Sequence, residues 1–139
     1  KSLGFEVLVV GAGHYPLIDH ARAAAAVFHQ SQGLRPPRKM IAWVMSGYEL
    51  VRGQFDPCGD HAGKWETSLL MYLDPGMQDL STLPEDRSIA PIGASNNGVQ
   101  DSNVEFGREA AEAIVAAVRQ RVTDFLQNPG RYRGHGRVT

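Results

Sequence analysis

Apolar residues in the first third of the chain fall into two dense runs. Val7-Leu8-Val9-Val10 and Met40-Ile41-Ala42-Trp43-Val44-Met45 contain no charge, the pattern of strands buried on both faces of a parallel sheet. Gly11-Ala12-Gly13 ends the first run. Between the runs, the Ala-rich segment His20–Gln32 predicts a helix with Asp19 as N-cap and Gly33 as its stop. Pro36-Pro37 makes the connection to the second run. Strand, helix, strand is a βαβ unit, right-handed by default.

The pattern then loosens. Tyr48-Glu49-Leu50-Val51-Arg52 reads as a short helix or an extended piece, broken by Gly53 and Pro57. Thr67–Leu73 predicts a helix that Asp74-Pro75-Gly76 stops abruptly, because proline has no amide proton to continue it. Leu80 to Asn97 is turn chemistry without a period. From Ser102 or Asn103 a long amphipathic helix runs along a spine of Phe106, Ala110, Ile114, Val118, Val122 and Phe125, and Asn128-Pro129-Gly130 ends it. No repeat, low-complexity tract or linker divides the chain. It reads as one α/β domain over 1–130, followed by a basic tail, 131–139, with Arg131, Arg133, His135 and Arg137 and no acid. Such a tail is a solvated terminus by default, with anion or subunit contact as the alternative. Two strands make a thin sheet where a doubly wound domain has about five. Strands are therefore expected from elsewhere.

Composition narrows the class. The 139 residues suffice for one domain with a sizeable core. Fourteen basic against fifteen acidic residues give a net charge of −1, which favours neither nucleic acid nor membrane as partner. A single cysteine, Cys58, excludes an intramolecular disulfide and suits a reducing compartment such as the cytoplasm. The opening Lys1-Ser2-Leu3-Gly4-Phe5 has neither an initiating Met nor a signal-peptide pattern and enters the first strand at once. A cut or processed chain would start this way, as would one from which a tag had been removed.

The chemistry-bearing residues concentrate after the first strand and around the Asp60–Ser68 stretch. Gly11-Ala12-Gly13-His14-Tyr15-Pro16 lies between strand and helix, yet Pro16 stands where a dinucleotide fingerprint needs its third glycine, and no acid follows the second strand. A phosphate-binding lysine loop fails too. The glycines instead make a tight turn that presents His14 at the carboxyl end of a strand, the edge where open α/β sheets bind ligands. In Asp60-His61-Ala62-Gly63-Lys64-Trp65-Glu66-Thr67-Ser68, His61 and Glu66 are five apart, which is not the metalloprotease helical spacing. They converge only if His61 precedes the helix. Taken alone, these residues favour Asp60 as N-cap, Glu66 as a first-turn acid and Trp65 as core or pocket wall. Neither a cysteine nucleophile nor a serine triad is supported. His20, His29 and His135 are expected on the surface.

Two of these stretches together resemble the creatininase (creatinine amidohydrolase-like) family. Gly13-His14-Tyr15 after a strand is similar to that family's Asn-Gly-His motif, and His61-Ala62-Gly63-x-x-Glu66-Thr67-Ser68-Leu69 to its His-Ala/Gly-Gly-x-x-Glu-Thr-Ser stretch. Gly98-Val99 and Glu105-x-Gly107, leading into the last helix, follow in the same order. The resemblance covers most of the chain, as the C-terminal half of such a protein.

What the resemblance implies is a three-layer α/β/α fold with a mostly parallel sheet, here completed by a missing N-terminal half or a partner chain. It implies an oligomer, two divalent metals (zinc with manganese or iron) and hydrolysis of a non-peptide C–N amide or lactam bond in a small molecule. In such sites a metal-bound water attacks the carbonyl. Carried over, His14 would be a metal ligand, and His61 a catalytic group orienting substrate or shuttling protons. Glu66 would support catalysis or bind metal, while Tyr15, Asp60 and Trp65 would line the substrate site. Two departures matter. Pro16 replaces the metal-binding Glu of creatininase itself, which argues against creatinine as substrate, although other members have Gly there. The family's Glu-x-His pair and bridging Asp belong to its N-terminal half and have no counterpart here. One His and one Glu do not hold two metals, so a complementary polypeptide is expected to supply the rest. The rival from another class is a metal-free, non-catalytic binding or assembly subunit. A nucleotide-binding module is disfavoured by Pro16 and the missing acid.

Overall fold

A computed structural model describes residues 3–32, 40–95 and 98–132. Gly33, Pro36, Pro37, the Asn96-Asn97 turn, the first two residues and the tail residues Arg133, His135 and Arg137 lie outside the described residues. Among the described residues the fold is mixed α/β and 53% helical, with a two-strand parallel sheet. It gathers into two compact units, one of Lys1–Leu50 with Ala117–Thr139 and one of Val51–Ala116.

In the first unit, β1 (Val7–Gly11) pairs parallel with β2 (Ile41–Met45), Val7 opposite Ile41 and Gly11 opposite Met45. The β-branched runs form these strands as their composition predicts. The ladder extends at both ends, with Ile41 N donating to Glu6 O at 2.8 Å and Ala12 N to Met45 O at 2.8 Å. Ile41, Trp43 and Phe125 form the core, with Val7, Val9, Met45, Leu50, Val118, Val122 and Tyr132 packed around them. Trp43 meets Phe125 edge to face at 5.5 Å, so the end of the long helix seals one face of β2. The helical spine read from the sequence does what its spacing implies.

Helix α1 (Leu17–Ser31) starts earlier than Asp19 suggests. Pro16 is the N-cap, with a helical φ of −59°, and Leu17 N and Ile18 N already donate to His14 O and Tyr15 O at 2.9 and 3.1 Å. Proline's preset φ winds the first turn, and Asp19 becomes a first-turn acid beside the positive end of the helix. His29 is a second correction. It is 6% exposed, and its Nε2 accepts the Ala42 amide at 2.9 Å, so this ring nitrogen carries no proton. An Ala-rich helix gave no sign of which face packs. Beside it, the Gln32 side chain donates to Met40 O at 2.9 Å and accepts Met40 N at 3.1 Å. Gln32 and His29 thus imitate a neighbouring strand along the start of β2's outer edge. A buried amide left without a partner there would cost about 1–3 kcal/mol.

After β2, helix α2 (Gly47–Val51) resolves the ambiguous Tyr48–Arg52 segment in favour of helix. Burial alone would push the Glu49 carboxyl up, but hydrogen bonds from Arg22, at 2.9 Å to each oxygen, and from Ser46 hold it below the usual range. The long helix α4 (Val104–Gln127) begins where Asn103 accepts the Phe106 amide at 2.9 Å. Pro129 does not end the helical path outright. One further turn, α5 (Pro129–Tyr132), follows, and Tyr132 donates its hydroxyl to Asp124.

The second unit is built on α3 (Lys64–Leu73) and the first part of α4. Trp65, Phe55 and Phe106 meet edge to face, with centroids 5.5–6.3 Å apart. Lys64 Nζ stands 4.5 Å over the Phe106 ring. Ser68 is fully buried, and its hydroxyl accepts the Asn103 amide at 3.1 Å. Among the described residues no helix is long and apolar enough to cross a membrane.

Candidate functional site

The residues singled out by sequence divide between the units. His14 and Tyr15 belong to the first, and Asp60, His61, Trp65 and Glu66 to the second. His14 lies in the tight turn after β1, exposed, with its carbonyl accepting the Leu17 amide. Tyr15 is half-buried against Tyr48, ring centroids 4.8 Å apart. The turn therefore leaves an imidazole in solvent at the carboxyl end of a strand.

The second unit holds the more elaborate arrangement. Asp60 is buried and not the N-cap itself. That position is Gly63, with ψ −157°, and Asp60 reaches over it from three residues upstream. Oδ1 accepts the amides of Gly63 (3.2 Å) and Glu66 (3.1 Å), and Oδ2 accepts that of Trp65 (2.8 Å). A carboxylate at the positive end of a helix, satisfying three orphan donors, is a strong capping arrangement. Gly63 has to be glycine here: a Cβ would sit 2.5 Å from Asp60 Oδ2 and 2.8 Å from Ser95 Oγ.

Glu66 answers in the opposite direction. Its Oε2 accepts the Ala62 amide at 2.8 Å, while Thr67 donates its hydroxyl to Ala62 O at 3.3 Å. These contacts hold Ala62 at φ +49°, the left-handed region that alanine disfavours by about 1–2 kcal/mol. Strain of this kind persists only where surrounding contacts over-determine it, and it clusters at functional sites. Ala62→Gly is therefore expected to raise stability by about 0.5–1 kcal/mol once glycine's own entropy is subtracted, measurable as a higher urea midpoint.

His61 lies between these two clamps. Its carbonyl accepts the Ser95 amide at 2.6 Å, and its amide donates to Ser95 Oγ at 3.3 Å. The imidazole is exposed and has no recorded hydrogen bond among the described residues. A fixed backbone with an uncommitted ring leaves the imidazole available to meet a reacting group from outside the loop. Glu66 spends Oε2 on the loop and keeps Oε1 for another partner. Trp65, 2% exposed within its aromatic cluster, holds α3 in the core. Of its two readings from sequence, core is the one it occupies. Asp60 likewise spends both oxygens on backbone amides.

Ser95 is the site residue that sequence reasoning missed. It lies 34 positions beyond His61 in a turn-rich stretch, where no local spacing could have paired them. Cys58 is set aside on physical grounds as well. Burial pushes its thiol up, Arg52 opposes this and Asp60 adds to it, so the thiol stays protonated and weakly nucleophilic.

No protein-family model, curated protein or solved structure matches this chain. Among the described residues no group of three or more His, Cys, Asp or Glu side chains converges to hold a metal ion. His14 and Glu66 do not, by themselves, fit a divalent metal, which takes three or more protein donors.

Proposed function

We propose that this chain is one part of a metal-dependent amidohydrolase that cleaves a non-peptide C–N amide or lactam bond in a small molecule. The observation that carries the reading is the His61 loop: its backbone is held at every residue while its imidazole is free. In this reading His61 moves a proton at the scissile bond, and Glu66 offers Oε1 to a metal or to the reacting water. His14 contributes one metal ligand and Tyr15 faces substrate. Asp60 and Trp65 act from beneath, by fixing the helix that carries the site. The ions expected are two divalent metals, zinc with manganese or iron, and the assembly an oligomer in the cytoplasm.

The donors missing from this chain would come from an N-terminal half or complementary subunit, which would complete the three-layer α/β/α fold. The sheet edges support where it docks. Gln32 and His29 already close the start of β2's outer edge. On β1, the parallel alternation turns the backbone groups of Val7, Val9 and Gly11 away from β2, and no partner for them is recorded among the described residues. Leu8, 46% exposed, lies on that same strand. An unpaired edge with no proline or charge is a template for another strand.

His14→Ala in the assembled protein is expected to lose bound metal and hydrolysis together, assayed by metal analysis and by turnover of a panel of cyclic amides. His61→Ala should keep its metal and lose about 10²–10⁴-fold in turnover, the usual contribution of a general acid–base group. A His14→Ala protein altered only in stability would instead identify a metal-free binding or assembly subunit.

A further inference from the structure

We propose that Ser95 is the positioning residue for His61. The proposal rests on the reading of His61 as the proton-transfer group and adds the residue that fixes the backbone from which its imidazole projects.

The Asp60 and Glu66 side chains hold the residues on the C-terminal side of His61, with their hydrogen bonds going to Ala62, Gly63, Trp65 and Glu66. Ser95 bonds to His61 itself, and twice. Its amide donates to the His61 carbonyl at 2.6 Å, and its hydroxyl oxygen receives the His61 amide at 3.3 Å. This is the two-bond exchange of a β-ladder pair, with a side-chain oxygen in place of one backbone carbonyl. Both polar groups of the His61 backbone are thereby committed to one residue. The residue after His61 is held in the left-handed region, so the two peptide planes flanking His61 are fixed from both sides.

Gly63 is the second part of the device. The Ser95 hydroxyl approaches so closely that any Cβ at position 63 would sit 2.8 Å from it. The glycine of the His61-Ala62-Gly63 stretch thus admits two side chains at once, Asp60 from beneath the helix and Ser95 from the loop. A side chain there would displace the cap or the His61 clamp. A histidine that must meet a reacting atom gains from this, because misplacement by about 1 Å is enough to cost roughly 10²-fold in rate.

The test uses the full chain labelled with ¹³C-histidine, with the His61 ring signal assigned by its disappearance in His61→Gln. Ser95→Ala should shift that signal, because the backbone that carries the ring is released. It should also speed hydrogen exchange of the His61 amide about fivefold, the equivalent of one ordinary hydrogen bond. Ser95→Thr, which keeps the hydroxyl, should restore both, and Trp65 emission, read in a Trp43→Phe background, should be the same throughout. In the assembled protein Ser95→Ala should lower kcat with KM and metal content unchanged. If the alanine variant fails to fold, Ser95→Cys keeps the volume, weakens the acceptor and should give the same displacement. An unchanged His61 ring signal and exchange rate in a folded Ser95→Ala or Ser95→Cys protein would overturn the proposal. A displaced ring signal alongside full hydrolysis by His61→Ala would leave the Ser95 clamp standing and sink the catalytic reading instead.

Discussion

Gly107→Ala is expected to take apart the second unit, at a cost of about 3 kcal/mol or more. Gly107 lies in the second turn of α4, buried where that helix crosses α3. A Cβ there would fall on the Ser68 carbonyl and come within 3.0 Å of the Leu69 amide nitrogen. Both are backbone atoms, so no rotamer change relieves the overlap and the helices must separate. Separation would also break the bond from the Asn103 amide to the buried Ser68 hydroxyl, which helps fix the start of α4. Helix propensity argues the other way, since alanine is favoured over glycine by about 1 kcal/mol in a helix interior. The steric term is larger and should win. Each unit contains one of the chain's two tryptophans, Trp43 in the first and Trp65 in the second. Urea unfolding followed by Trp65 emission in a Trp43→Phe background therefore reports the second unit. A Gly107→Ala protein as stable as its parent would mean that the close α3–α4 crossing is not the true packing.

Asp60→Ala should follow with about 3 kcal/mol, because three backbone amides lose their acceptor together. The amides of Gly63 and Trp65 belong to buried residues, where water replaces a lost partner poorly. Asp60→Asn should cost less, about half, since one carbonyl oxygen remains but the charge that complements the helix end is gone. The two substitutions compared in the same urea experiment separate the hydrogen bonds from the charge. Equal losses would mean that charge alone matters, and no loss in either would contradict the capping role. With both oxygens accepting backbone amides, Asp60 has no oxygen free to turn outwards.

Much of the fold was legible because it rests on local chemistry. The two strands are uninterrupted apolar runs, and the α4 spine packs where its period places it, with Ala110 and Phe125 fully buried. Pro75 ended α3 because a missing amide proton acts wherever it occurs. The reading from sequence differs from the fold where a neighbouring proline or a contact made by the fold decides. Pro16 started α1 before Asp19 could cap it. His29 reads as a surface residue because nothing in an alanine-rich helix announces the amide waiting on β2. Asp60 reads from sequence as the N-cap, a position Gly63 holds; its side chain caps the helix from three residues upstream, over a left-handed turn that the φ of Ala62 reveals. At the site, the residue types of the His61 stretch were visible and their geometry was not. The Ser95 pairing and the need for glycine at 63 and 107 come from atoms brought close by the fold, and a lone glycine in a helical pattern looks merely like a weak spot.

Under the proposed function, this chain supplies half of a metal site whose other donors come from a second polypeptide. The most direct test is native mass spectrometry of the assembly purified from its source, with metal analysis of the same sample. This chain should be released together with a second polypeptide and with bound divalent metal. A folded assembly of this chain alone, free of metal, would contradict it.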